Sequence, residues 1–189
     1  MKAGDHLILI YKGVHMNLIK FFSVIFGCAC LLPTSQTHAA RVENATELKS
    51  GKYRITSSID GISRLNVDNP EKNGGNLCIR KPADRLNQLF YVEKKERFYN
   101  IKCEASNKML DVKGASKKSG ANIQQYNPNE TDAQNWFIIK WEDGSYSLIS
   151  VCNNLVMDVD SGKNEDETNI RCWELNGTNS QKFYFEKVE

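Results

Sequence analysis

Four short landmarks recur three times along this chain, in the same order and at nearly the same spacing. Tyr53, Tyr99 and Tyr146 open "YRI", "YNI" and "YSL". "LNV" around Asn66 returns as "LDV" around Asp111 and "MDV" around Asp158. "GNLCIR", "ANIQQY" and "TNIRCW" are anchored by Asn76, Asn122 and Asn169, while "NQLF", "AQNW" and "SQKF" are anchored by Gln88, Gln134 and Gln181. Both sets of anchors are spaced by 46 and then 47 residues. Landmarks that keep one order at one period mark an internal structural repeat.

Each copy reads as short β-branched or aromatic strands divided by turn clusters such as "ASNK" and "NPNE". No segment sustains a 3.6-residue apolar period. A unit this short cannot bury its apolar face alone, so three units must close around one core. Three is too few for a propeller or for a solenoid with capping repeats. The expectation is an all-β chain folded as a β-trefoil, with three four-stranded repeats around a pseudo-threefold axis at about 52–97, 98–144 and 145–188. Closure also removes the exposed edges that endanger a secreted sheet.

Ahead of the repeats, "MNLIKFFSVIFGCACLLPTSQTHAA" from Met16 has a lysine, an apolar run from Phe21 to Leu32 and a small-residue finish. That is the layout of a secretory signal peptide. The apolar run is shorter than the ~20 residues that span a bilayer. Residues 1–39 are read as an upstream extension plus signal, cleaved before Ala40, and 40–51 as a short lead into a 52–189 domain. The expected location is extracellular, or the periplasm or cell surface if the source is bacterial.

Removing that segment removes every histidine, since His6, His15 and His38 all lie in it. Imidazole catalysis and His-ligated metal are thereby excluded from the mature chain, and neither a catalytic residue, a metal site nor a cofactor is assigned. The formal charge of +2 gives no reason to expect nucleic acid. Cys78, Cys103, Cys152 and Cys172 remain, and export permits disulfides among them.

The thrice-repeated Gln-x-aromatic, preceded by the "LDV" and "NIQ" strands, resembles the ricin-type β-trefoil lectin domain over roughly 52–188. The resemblance implies carbohydrate binding in up to three shallow pockets, one per repeat. The chemistry of such a pocket is general. A carboxylate accepts two hydroxyl protons, an amide or guanidinium answers the lone pairs, and an aromatic plane takes the C–H face of the ring. Strand alternation places Gln124 with Tyr126 on one face, and Arg171 with Trp173 on one face. The resemblance sets Asp111 and Asp158 opposite these pairs, with Gln134 and Gln181 orienting them. Two candidate sites follow: Asp111–Gln124–Tyr126 and Asp158–Arg171–Trp173.

The first repeat has Asn66, Cys78 and Arg80 at the matching positions, so it is expected to be structural. The family often has Asn just before the Gln-x-Trp glutamine. Only Asn87 keeps it here, against Ala133 and Ser180, so galactose specificity is not implied. Arg171 hints at an acidic or sulfated ligand.

The leading expectation is a secreted lectin that is not an enzyme, its partner a glycan or glycoconjugate and any partner protein a separate chain. The alternative is a β-trefoil that binds protein, as a protease inhibitor or toxin accessory subunit. Residue parity, and the region the family usually bridges, point to a Cys152–Cys172 disulfide, with Cys78 and Cys103 left as free thiols.

Overall fold

The structure, a computed structural model, describes residues 47–188. The signal peptide and most of the lead lie outside the described residues. Twelve strands follow one another: β1 Gly51–Ser57, β2 Arg64–Val67, β3 Leu77–Arg80, β4 Phe90–Lys94, β5 Tyr99–Cys103, β6 Met109–Val112, β7 Ile123–Tyr126, β8 Trp136–Lys140, β9 Tyr146–Ser150, β10 Val156–Val159, β11 Ile170–Trp173 and β12 Phe183–Val188. Six of them close a ring by antiparallel pairing: β1 with β4, β4 with β5, β5 with β8, β8 with β9, β9 with β12, and β12 back to β1. The other six form three hairpins, β2–β3, β6–β7 and β10–β11. A six-stranded barrel capped by three hairpins is a β-trefoil, as the repeats require.

The aromatic landmarks explain how the ring closes. Tyr53 is paired with Phe90, Tyr99 with Trp136, and Tyr146 with Phe183, one pair per repeat at the joint between its first and last strands. Phe90, Trp136 and Phe183 are wholly buried, and Trp136 Nε1 donates to Leu110 O at 3.3 Å. Three large side chains wedged at equivalent joints fill a core that no single repeat could enclose. Truncating one to alanine would cost about 3–5 kcal/mol.

The asparagine anchors meet where the hairpins converge. Asn122 Nδ2 donates to Asn76 Oδ1 at 2.9 Å, and Asn76 Nδ2 donates to Asn169 Oδ1 at 3.0 Å. The same positions make isolated bridges to neighbouring hairpins, Asn76 with Gln124, Asn122 with Arg171 and Asn169 with Cys78. Each hairpin is thus stitched to the next, and its loop lies beside the next repeat's candidate pocket.

Turn chemistry repeats as well. The turn after each repeat's first strand has a left-handed residue at the same place, Gly61 (φ 67°), Asn107 (φ 58°) and Asn154 (φ 60°). Asparagine and glycine are the residues that reach this region at least cost.

The cysteines correct one expectation. All four in the described residues are buried free thiols, so the Cys152–Cys172 disulfide is not formed. Both side chains do face inward, as parity requires. However, β9 ends at Ser150, and Cys152 sits in the turn beyond it, where strand alternation no longer sets side-chain direction. Its sulfur takes a contact from Ser150 Oγ at 3.3 Å. Cys172 lies on β11 opposite Met157. Burial pushes the Cys172 thiol up to about 12, out of reach of ionisation.

Candidate functional site

Asp111 sits on β6 directly across from Gln124 on β7, and Asp158 on β10 directly across from Arg171 on β11. Gln124 Nε2 donates to Asp111 Oδ1 at 3.0 Å, and Gln134 Nε2 donates to Oδ2 at 3.2 Å. Gln134 spends its other groups on the backbone, donating to Asn127 O at 2.9 Å and accepting from Asn129 N at 3.1 Å. The third repeat repeats this wiring. Arg171 Nε donates to Asp158 Oδ1 at 3.1 Å, and Gln181 Nε2 donates to Oδ2 at 3.2 Å. Gln181 also holds Glu174 O and Asn176 N. The glutamines therefore act as clamps that tie the carboxylate to the loop after the hairpin.

Both carboxylates lie almost wholly below the surface, Asp111 at 4% and Asp158 at 3% exposure. Burial raises the pKa of each above the ordinary aspartate range, against the lowering effect of the side chains that donate to them. An ionised carboxylate offers about four lone-pair positions. Two donors on Asp111 leave it with acceptor capacity toward solvent.

The aromatic partners differ between the two sites. Tyr126 is 39% exposed and no cation stacks on it among the described residues. Trp173 is half-buried, and the Arg171 guanidinium carbon lies 3.9 Å from its ring centroid. Arg171 Nη1 also pairs with Asp160 Oδ1 at 2.6 Å. Sequence reasoning placed Asp158, Arg171 and Trp173 together but missed Asp160. That residue follows Asp158 by two and was hidden as an ordinary turn aspartate.

The first repeat holds a surprise of the same kind. Asn66 takes the place of the carboxylate and accepts from Asn87 Nδ2 at 3.1 Å and from Gln88 Nε2 at 3.4 Å. Two residues on, Asp68 supplies the missing carboxylate. Arg80 Nε donates to its Oδ1 at 3.1 Å, and the Arg80 Nη2 reaches Glu167 at 2.6 Å. The charge is therefore present, but it is spent on Arg80, and Asn87 is spent on Asn66 and Val67 O. No aromatic stands at Arg80's position.

Loops of the preceding repeat complete each pocket. A Cβ on Gly74 would lie 3.5 Å from Gln124 Oε1, and one on Gly120 would lie 3.6 Å from Trp173 Cζ3. Fully buried Gln125 fixes the first of these loops, donating to Pro70 O and Lys72 O at 2.8 Å each. A polar cleft of about 220 Å³ runs along the loop from Asp160 to Asn169. No helix among the described residues is long and apolar enough to cross a membrane.

Residues 86–173 match the family described as ricin-type beta-trefoil lectin domain-like. No curated protein matches the sequence. Among solved structures, the designed threefold symmetric protein ThreeFoil is similar at 26% identity and a TM-score of 0.70, over 73% of this chain and 99% of its own. The Macrolepiota procera ricin B-like lectin, solved in complex with lactose, is similar at 17% identity and a TM-score of 0.65, over 76% of this chain and 100% of its own. The exo-beta-1,3-galactanase 1,3Gal43A from Clostridium thermocellum is similar at 25% identity and a TM-score of 0.67, over 73% of this chain but 30% of its own. The described domain thus spans all of some relatives and under a third of another.

Proposed function

We propose, from the premise that this chain carries a ricin-type β-trefoil lectin domain, that it is a secreted protein that binds glycans, with the pocket on its second repeat as the principal site. The observation that carries the reading is the Asp111–Gln124–Tyr126 cluster. It joins a buried carboxylate with acceptor capacity to spare, a clamp that fixes it, and an open aromatic face one strand away. Sugar hydroxyls bond to the carboxylate while the C–H face of the ring lies on Tyr126. Such a site is shallow and wet, so useful avidity comes from clustered ligands.

In this reading the described domain binds and carries out no chemistry. The apolar run from Phe21 to Leu32 and the small-residue finish after it support export of the mature chain.

The test is a glycan array probed with the exported chain, carrying lactose and sialylated N-acetyllactosamine among its oligosaccharides. Binding that is lost in Tyr126→Ala supports the proposal. Silence across the array, with a protein recovered by pull-down, reverses it in favour of a protein-binding β-trefoil.

A further inference from the structure

The two pockets share one wiring diagram but are not in the same state. In the second repeat the residue facing the carboxylate is Gln124, which is neutral and makes one bond to Asp111 at 3.0 Å. In the third it is Arg171, whose side chain is only 19% exposed. That guanidinium is held from three sides. Its Nε is 3.1 Å from Asp158 Oδ1, its Nη1 is 2.6 Å from Asp160 Oδ1, and its plane lies over the Trp173 ring at 3.9 Å.

These contacts occupy what a sugar would need. Asp158, like Asp111, takes one donor on each oxygen, but its Oδ1 partner is a charged guanidinium rather than a neutral amide, so its charge is already answered within the protein. Arg171 covers one face of the Trp173 ring, and Gly120 packs near the ring from the neighbouring loop. One side chain thus covers a face of the aromatic plane and neutralises the carboxylate beside it. The cation is also met by two carboxylates, so an acidic sugar would find no uncompensated positive charge there.

We infer that Arg171 is an internal plug that closes the third pocket. The described domain then holds one working glycan site, on the second repeat, and Arg171 sets its valency. This deepens the lectin reading above and rests on it. The residue identity at this one position decides the outcome, because a glutamine there would donate to Asp158 as Gln124 does to Asp111 and would leave Trp173 bare.

The experiment uses four exported chains on an array carrying lactose and sialylated N-acetyllactosamine: wild type, Tyr126→Ala, Arg171→Gln and the Tyr126→Ala/Arg171→Gln double variant. Thermal melts check that each is folded. The expected result is binding by wild type, at least a tenfold loss in Tyr126→Ala, and recovery in the double variant. Titration of the bound oligosaccharide should give one site per wild-type chain and two per Arg171→Gln chain. Asp160→Asn in the Tyr126→Ala background, which loosens the plug without removing it, should recover binding in part and serves if Arg171→Gln does not fold. Full binding by Tyr126→Ala that Trp173→Ala then abolishes would show an open third pocket and overturn the inference. So would wild-type binding with a folded but silent double variant. Silence of wild type and Arg171→Gln alike overturns the glycan reading and the inference with it.

Discussion

Gln134 reaches back 23 positions to put its amide nitrogen 3.2 Å from Asp111 Oδ2. Both residues are buried, at 2% and 4% exposure, and the same amide also holds the backbone at Asn127 and Asn129. One side chain therefore closes the loop, positions the carboxylate and leaves none of its own polar atoms idle.

Gln134→Ala should consequently be a stability mutation as much as a binding one. It strips partners from a buried carboxylate oxygen, a carbonyl and an N–H. The expected cost is about 2–4 kcal/mol, seen as a fall in Tm of roughly 10 °C. A melt within a degree or two of wild type would show that solvent replaces the clamp at no cost.

Tyr126→Ala should separate binding from folding. The ring is 39% exposed and closes no barrel joint, so the melt should move by less than about 1 kcal/mol. Loss of the stacking plane should weaken glycan binding about tenfold or more. A large drop in Tm with binding retained would assign Tyr126 to packing.

Acidity offers a check on Asp111. Burial holds its pKa above the ordinary aspartate range, against the bonds from Gln124 and Gln134. Glycan binding needs the ionised form, so it should be present above the raised pKa and fade as pH falls through it. The fade should begin at a higher pH than an exposed aspartate would give. Stability has the opposite sign. The folded state holds this proton more tightly than the unfolded chain, so the contribution of Asp111 falls as pH rises from the ordinary value through the raised one. Asp111→Asn should remove that slope and abolish binding while the fold persists, as Asn66 persists in the first repeat. Titrations and melts of the two proteins across acid pH would decide.

How much of this was legible in the sequence depends on the range of the interaction. The barrel was readable because closure rests on Tyr, Gln and Asn anchors that recur at one period, and because strand parity is local. Parity put Gln124 and Tyr126 on one face, and the family resemblance, not parity, put Asp111 across from them. What stayed hidden was side-chain competition. Nothing in "MDVDSG" says that Asp160 turns toward Arg171, or in "NVDNP" that Asp68 replaces Asn66 as the partner of Arg80. Those outcomes depend on which polar group sits across the hairpin. The disulfide expectation failed for a related reason. Parity turned Cys152 and Cys172 inward, and both are buried, but a shared inward direction does not by itself bring two sulfurs into bonding geometry.

The asparagine junction should matter to the whole fold rather than to any one pocket. Asn122 donates to Asn76 Oδ1 at 2.9 Å and to Ile123 O at 3.3 Å, joining two hairpins where they converge. Asn122→Leu should keep the volume and lose the bonds, leaving Asn76 Oδ1 without its donor. The expected loss is about 1–3 kcal/mol, with glycan binding by the folded fraction unchanged. Hydrogen exchange should then quicken in β3 and β7 together. Quickening in β7 alone would show that the hairpins are not coupled through this junction.

The last expectation concerns the thiols. Burial and the neighbouring Asp68 push the Cys78 thiol up to about 12, and burial does the same for Cys172. The thiolate is the reactive form, so neither should be alkylated in the folded protein near neutral pH. Cys103 and Cys152 are buried as well. Iodoacetamide should therefore label almost nothing until denaturant is added, and then four sites per mature chain. Because no crosslink contributes to the fold, adding a reductant should leave the Tm unchanged. A Tm that falls in dithiothreitol, with a Cys152–Cys172 peptide found by non-reducing mapping, would show that the exported protein oxidises this pair and that the free-thiol arrangement is its reduced form.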